Sequence, residues 1–137
     1  PYGHKADFTP VKPEPAGDNP RAIAPAGAVH CSVGDFAKYA QFHLGSYKES
    51  VLKTKTRALL YEATEQKAYG MGWVITERDW AGGKAFMHTG SNTMFYTVVW
   101  LAPEKDFAAV AMCNYGGKEG FEKCDAIISF MIQKYLK

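Results

Sequence analysis

Six consecutive residues, Met87-His88-Thr89-Gly90-Ser91-Asn92, carry the strongest chemical signal in the sequence. They set an imidazole, a hydroxyl, a glycine and two small polar groups at what reads as a strand end. Such a strand can aim a polar side chain and a backbone N–H into one cleft, and Gly90 leaves room for a substrate to approach the main chain. His88, Thr89, Gly90, Ser91 and Asn92 are therefore the candidate site residues. Other chemistries lack their residues. Neither G-x-G-x-x-G nor G-x-x-x-x-G-K-[ST] occurs, which removes the usual phosphate cradles, and Gly82-Gly83 and Gly116-Gly117 read as turns. Glu14, Asp18, Glu104 and Asp106 fall in loops and form no facing pair. His4, His30, His43 and His88 are too dispersed for a metal site, and no cofactor is expected. His30 and His43 read as structural. Cys31, Cys113 and Cys124 form no C-x-x-C and read as small buried residues; a Cys113–Cys124 bridge stays open if the protein is exported.

The elements that must position these residues follow from the hydrophobic pattern. Ser32-Val33-Gly34-Asp35 is a capping box, with the Ser32 hydroxyl placed to accept the Asp35 N–H. It opens a helix over 33–44 with Val33, Phe36, Ala37, Ala40 and Leu44 on one stripe, ended by Gly45. A second helix is expected over 54–63. Beyond it the period changes. Strands are expected over 69–76, 84–88, 93–101 and 107–113, separated by turn chemistry at 78–83 and 103–106. Gly70 and Gly72 suggest close approach of another backbone. Of the tryptophans, Trp73 and Trp100 read as core and Trp80, in a turn, as exposed. A long helix, about 118–136, repeats Phe121, Cys124, Ile128, Met131, Ile132 and Tyr135 at three- and four-residue steps. Short connections require antiparallel pairing, so the fold class is α+β: an antiparallel sheet of three to four strands, a long C-terminal helix packed on it, and a small helical layer.

Six of the seven prolines fall within the first 25 residues, which argues against helix or inner strand there. Three regions result: a Pro-rich extended arm over 1–30, a helical segment over 31–66, and the sheet with its helix over 67–137. So long an irregular arm is expected to find its support in sequence outside this chain. The opening Pro1-Tyr2-Gly3-His4, without an initiator Met or signal peptide, points the same way, and leaves localisation unread. A chain of 137 residues and 15.1 kDa that is 47% hydrophobic and 22% charged is long enough and apolar enough for a packed core. A net charge of +2 with scattered basic residues gives no footprint for nucleic acid. No apolar run reaches the ~18 residues of a membrane span.

Four motifs, in order, are similar to those of the serine β-lactamase-like and penicillin-binding protein family. Pro25-Ala26-Gly27 followed by Ser32-x-x-Asp35-Phe36-Ala37 resembles its "PAG…S-x-x-D" helix entry. Tyr69-Gly70-Met71-Gly72-Trp73 resembles its "YGLGW" strand, and His88-Thr89-Gly90 its Lys/His-Thr/Ser-Gly motif. The turn at Pro103-Glu104, the strand ending at Asn114 and the last helix are similar too. The resemblance implies part of a β-lactamase/transpeptidase-like fold and acyl-enzyme chemistry on a small-molecule or peptide substrate. It implies that His88 orients substrate and the proton-transfer network, that Thr89 binds a carboxylate or carbonyl, and that Gly90 keeps the strand edge open. The Ser91 backbone N–H would then be one oxyanion donor, and Asn92 would line the substrate loop. Histidine at 88 leans toward a DD-peptidase or esterase, and relatives are often periplasmic or secreted.

The same resemblance defines what is missing. The family's Y-x-N or S-x-N motif has no counterpart. Ser50-Val51-Leu52-Lys53 is formally S-x-x-K but follows the capping-box helix instead of preceding it. The chain is thus expected to be the C-terminal part of one larger domain, without its nucleophile. The alternative is a non-catalytic binding or assembly module that pairs as a homodimer, or with the missing N-terminal part, through an exposed sheet edge.

Overall fold

In the computed structural model, residues 2–12, 14, 19–48, 51–65 and 68–136 are described. The sheet that carries the candidate residues is built from β3 (Val74–Arg78), β4 (Gly83–Ser91), β5 (Tyr96–Ala102) and β6 (Phe107–Cys113). They pair in sequence order, all antiparallel, as the short connections require. Alternation turns Phe86, Val99 and Leu101 to one face, and Val98, Ala109 and Ala111 to the other. Each face therefore needs its own cover.

One cover is α2 (Val33–Leu44). Its start is the expected box: the Asp35 N–H donates to Ser32 Oγ at 3.1 Å, and Ser32 Oγ donates to Asp35 Oδ2 at 2.7 Å. Gly45 closes it in the left-handed conformation at φ 93°, where a Cβ would be strained. Phe36, Ala40 and Leu44 pack on the sheet as the stripe requires, whereas Val33 stays exposed and His43 joins the buried row. The other cover is α4 (Gly117–Tyr135), which lays Cys124 and Ile128 against Val98, Ala109 and Ala111. Cys113 and Cys124 are free thiols here, Cys113 half-buried and Cys124 buried, while Cys31 is exposed. The expectation of three buried cysteines thus fails at Cys31. Trp80 is also covered: it packs edge-on against Trp100 at 5.7 Å and Phe107 at 6.5 Å.

Two elements depart from the sequence expectation for identifiable reasons. Helix α3 (Thr54–Leu59) stops four residues early. Tyr61 leaves it to stack near Phe86 at 4.4 Å and to bond His43, and the Leu60 carbonyl accepts the Met71 N–H at 3.0 Å. The segment before β3 is a tight turn, not strand, with Tyr69 in an isolated bridge to Val74. Gly70 has the expected close backbone, since a Cβ there would lie 2.7 Å from the Leu60 carbonyl oxygen. Gly72 is different: it sits at φ 86° with open space around it, so its backbone angle is what calls for glycine.

The N-terminal arm finds support within the chain, contrary to expectation. Strands β1 (Gly3–His4) and β2 (Pro10–Val11) form a small hairpin. His4 N–H donates to Met94 O at 3.2 Å, Asn114 Nδ2 donates to Tyr2 O at 2.9 Å, and the Tyr115 hydroxyl donates to Ala6 O at 2.6 Å. Phe8 stacks on Tyr115 at 4.4 Å. The Pro-rich stretch even holds one helical turn, α1 (Ala24–Gly27), because Pro25 sits in the first turn, where its missing N–H costs nothing.

His43 is a buried titratable group of the core. Its ring lies edge-on to Trp73 at 4.8 Å and Tyr39 at 4.4 Å, with Nδ1 against the Tyr61 hydroxyl. Burial, helped by the Arg57 charge, lowers its pKa to about 4. The unfolded chain, with a histidine near 6.5, binds the extra proton first, so folding stability present above pH 6.5 is lost as pH falls toward 4. The loss expected is on the order of 2–3 kcal/mol. Denaturant unfolding between pH 4 and 7 checks this: the slope should flatten in His43→Phe, and an unchanged slope would place the titration elsewhere.

Candidate active site

Strand β4 is longer than the pattern suggests, running to Ser91, so Thr89, Gly90 and Ser91 lie within the sheet and not beyond it. Its partner β3 is shorter. The β3–β4 ladder begins at Val74 opposite Met87, so residues 88–91 have β5 on one side and no described strand on the other.

Which groups meet that open edge follows from alternation. Ile75 N–H donates to Ala68 O at 2.8 Å, away from β4. Val74 must then direct its main-chain groups toward Met87, and along β4 the same direction is taken by Thr89 and Ser91. His88 and Gly90 turn theirs to Val99 and Thr97. The amides of Thr89 and Ser91 therefore face the unpaired edge. Side chains follow the other alternation: His88 continues the α2 face of Phe86, and Thr89 the α4 face of its partner Val98.

His88 is exposed and its Nε2 lies 3.2 Å from the Tyr69 hydroxyl. Gly90 keeps that face clear, since a Cβ would come within 3.2 Å of Thr97 Cγ2. Beyond Ser91 the polar side chains tie down their own loop. Ser91 Oγ donates to Phe95 O at 2.7 Å and accepts the Thr93 N–H at 3.1 Å. Asn92 Oδ1 accepts the N–H groups of Met94 and Phe95 at 3.2 and 3.0 Å. Thr93 takes φ 73° at the tip. Gly116 presses on this loop from behind: a Cβ there would sit 2.0 Å from the Thr93 carbonyl oxygen. The arm closes the other side, with Gly3 against Phe95 and Met94. The loop that follows the candidate residues is thus held by its own side chains, by Gly116 and by the N-terminal hairpin.

Two surface grooves among the described residues lie away from this edge. One of about 510 Å³ is lined by Tyr61, Glu62, Ile75, Thr76, Glu77 and Lys84. Another, of about 350 Å³, lies between α2 and the start of β6, beside the Ser46–Asp106 hydrogen bond. Neither is lined by any of residues 88–92; what marks the candidate segment is its open main-chain donors. Ser50 and Asp18 lie outside the described residues.

With sheet, open edge and exposed imidazole in place, the family assignment becomes decidable. The sequence model described as Beta-lactamase matches residues 2–129. The chain belongs to the beta-lactamase family. Comparison with curated proteins returns no match. The match spans the arm, both helical layers and the sheet, so the family's α+β architecture is shared along nearly the whole chain. It carries a serine-hydrolase-like assignment in general terms. No helix of the described residues is long and apolar enough to cross a membrane.

The structure brings His88, Gly90 and the amides of Thr89 and Ser91 to one strand segment, with Asn92 in the loop beyond. Sequence reasoning missed Tyr69 as a neighbour of His88. Its signal was an aromatic residue directly before a Gly-x-Gly turn, which sends the chain back on itself and leaves the ring beside the next strand.

Proposed function

We propose that this chain is the C-terminal part of a serine hydrolase that cleaves amide or ester bonds through an acyl-enzyme. Its S-x-x-K nucleophile would be carried by sequence outside these 137 residues. The observation that carries the reading is the free edge of β4, where the amides of Thr89 and Ser91 turn outward beside His88. In the reaction, the serine oxygen bonds to the substrate carbonyl carbon, and the carbonyl electrons move onto its oxygen. The Ser91 N–H and the nucleophile's own N–H would receive that charge. Such a donor contributes about 3–4 kcal/mol in the transition state. Collapse expels the amine or alcohol, which takes up the proton released by the serine; water then attacks the acyl-enzyme and frees the acid. His88 would orient the substrate, Thr89 would bind its carboxylate or carbonyl, Gly90 would leave space and Asn92 would line the loop. Ser91 serves through its main chain, because its hydroxyl is engaged by Phe95 and Thr93.

The chain alone should therefore form no covalent adduct. Incubated with a fluorescent penicillin or a fluorophosphonate, it should keep its mass in intact mass spectrometry; a stoichiometric adduct on Ser50 would contradict the assignment of the nucleophile to other sequence.

A second reading, a non-catalytic module that self-associates, is favoured by the far edge of the sheet. Strand β6 pairs with β5 alone among the described strands, and Phe107-Ala108-Ala109-Val110-Ala111-Met112-Cys113 contains neither charge nor proline to block addition of another strand. Continuing the alternation, Ala108, Val110 and Met112 direct their N–H groups outward. Sedimentation velocity should show association that rises with concentration and is lost in Met112→Pro, which removes an outward donor and spares the β5 ladder. A strictly monomeric parent chain would rule this reading out.

A further inference from the structure

We infer that Tyr69 is a positioning residue for His88: its hydroxyl donates to Nε2, fixes the imidazole as the tautomer protonated on Nδ1, and leaves Nδ1–H as the ring's donor to an acceptor oxygen of the acyl substrate. The inference rests on the proposed hydrolase reading for the last clause only.

Tyr69 Oη lies 3.2 Å from His88 Nε2, with ring centroids 6.4 Å apart and planes at 60°. A hydroxyl oxygen meets a ring nitrogen; the two ring faces do not stack. An imidazole nitrogen is a better acceptor than a phenol oxygen, so the hydroxyl is the donor and Nε2 the acceptor. A neutral histidine with Nε2 accepting carries its proton on Nδ1. Among the described residues Nδ1 has no partner, on an exposed side chain at the open edge of β4.

The main chain that carries the phenol is held from behind. The Tyr69 carbonyl accepts the Thr64 N–H at 2.9 Å and the Thr64 hydroxyl at 3.0 Å. Gly70 N–H donates to Trp73 O at 2.8 Å and Ile75 N–H to Ala68 O at 2.8 Å, so the turn is tied on both sides of Tyr69. Gly70 lies against the Leu60 carbonyl, too close for any side chain. Trp73, anchored in the core, ends the turn. The backbone of Tyr69 is therefore fixed by contacts that owe nothing to His88, as a residue that orients another must be. An imidazole N–H oriented in this way also differs from the mobile ammonium of a lysine, because it can be directed at one oxygen.

Long-range proton–nitrogen correlation spectra of the 15N-labelled chain, recorded at pH 8, test the inference. The His88 ring should show a protonated Nδ1 and an unprotonated Nε2. Tyr69→Phe, which keeps the ring and removes the oxygen, should shift both nitrogens toward the averaged values of a free imidazole. A ring protonated on Nε2, or nitrogen shifts unmoved in Tyr69→Phe, would overturn it. Should Tyr69→Phe not fold, fluorotyrosine incorporated into the unaltered sequence gives the same reading: a more acidic phenol should move Nε2, and a stationary Nε2 overturns the inference. These spectra need no turnover. Failure of the hydrolase reading would instead appear as no acylation when the chain is joined to an S-x-x-K segment, with the tautomer intact.

Discussion

The site depends on a mismatch in length between two neighbouring strands. β3 begins its pairing only at Val74, opposite Met87, whereas β4 runs on to Ser91. A buried main-chain donor without a partner is costly, so sheets seldom leave such an edge open unless a loop, a ligand or another segment uses it. Here β3 is kept short by the turn at Gly70–Gly72, which folds the preceding chain back before a longer strand can cover the edge. The same turn delivers Tyr69 to His88. One local reversal thus both exposes the strand and supplies the group that faces its imidazole.

The rest of the molecule holds this edge in place. Two helical covers bury opposite faces of the sheet, with Phe86, Val99 and Leu101 under α2 and Val98, Ala109 and Ala111 under α4. Burying an aliphatic or aromatic side chain contributes about 1.5–3 kcal/mol, so strands packed on both faces are poor candidates for movement during a reaction. The aromatic box around His43 fixes α2 to the turn through Tyr61 and Trp73. Beyond Ser91 the loop is more local in origin: Asn92 and Ser91 satisfy its amides, and Gly116 and the N-terminal hairpin close over it. A hydrolase needs donors that do not reorganise when charge develops, and a strand within a doubly covered sheet meets that need.

Much of this was legible in the sequence, and the exceptions share a cause. α2 and β6 lie where Ser32, Gly45 and the apolar run 107–113 place them, because caps and uninterrupted strand patterns are local signals. β5 begins at Tyr96 and not at Thr93, since Asn92 spends its side-chain oxygen on the next amides and makes a turn of residues that read as strand. α3 ends early because Tyr61 has a better place in the core than on a helix surface. The docking of the arm on Asn114 and Tyr115 joins residues more than a hundred positions apart, and no local pattern announces it. The candidate segment itself was visible as a motif. Its open edge was not, for that depends on where the neighbouring strand stops.

Amide hydrogen exchange resolved by residue tests the open edge most directly. Thr89 and Ser91 should exchange at least about 100-fold faster than His88 and Gly90, whose amides pair with β5, giving fast and slow positions in alternation along one strand. Uniform protection from His88 to Ser91 would mean that the edge is covered, and the proposed role of the Ser91 amide toward a reacting carbonyl would fail with it.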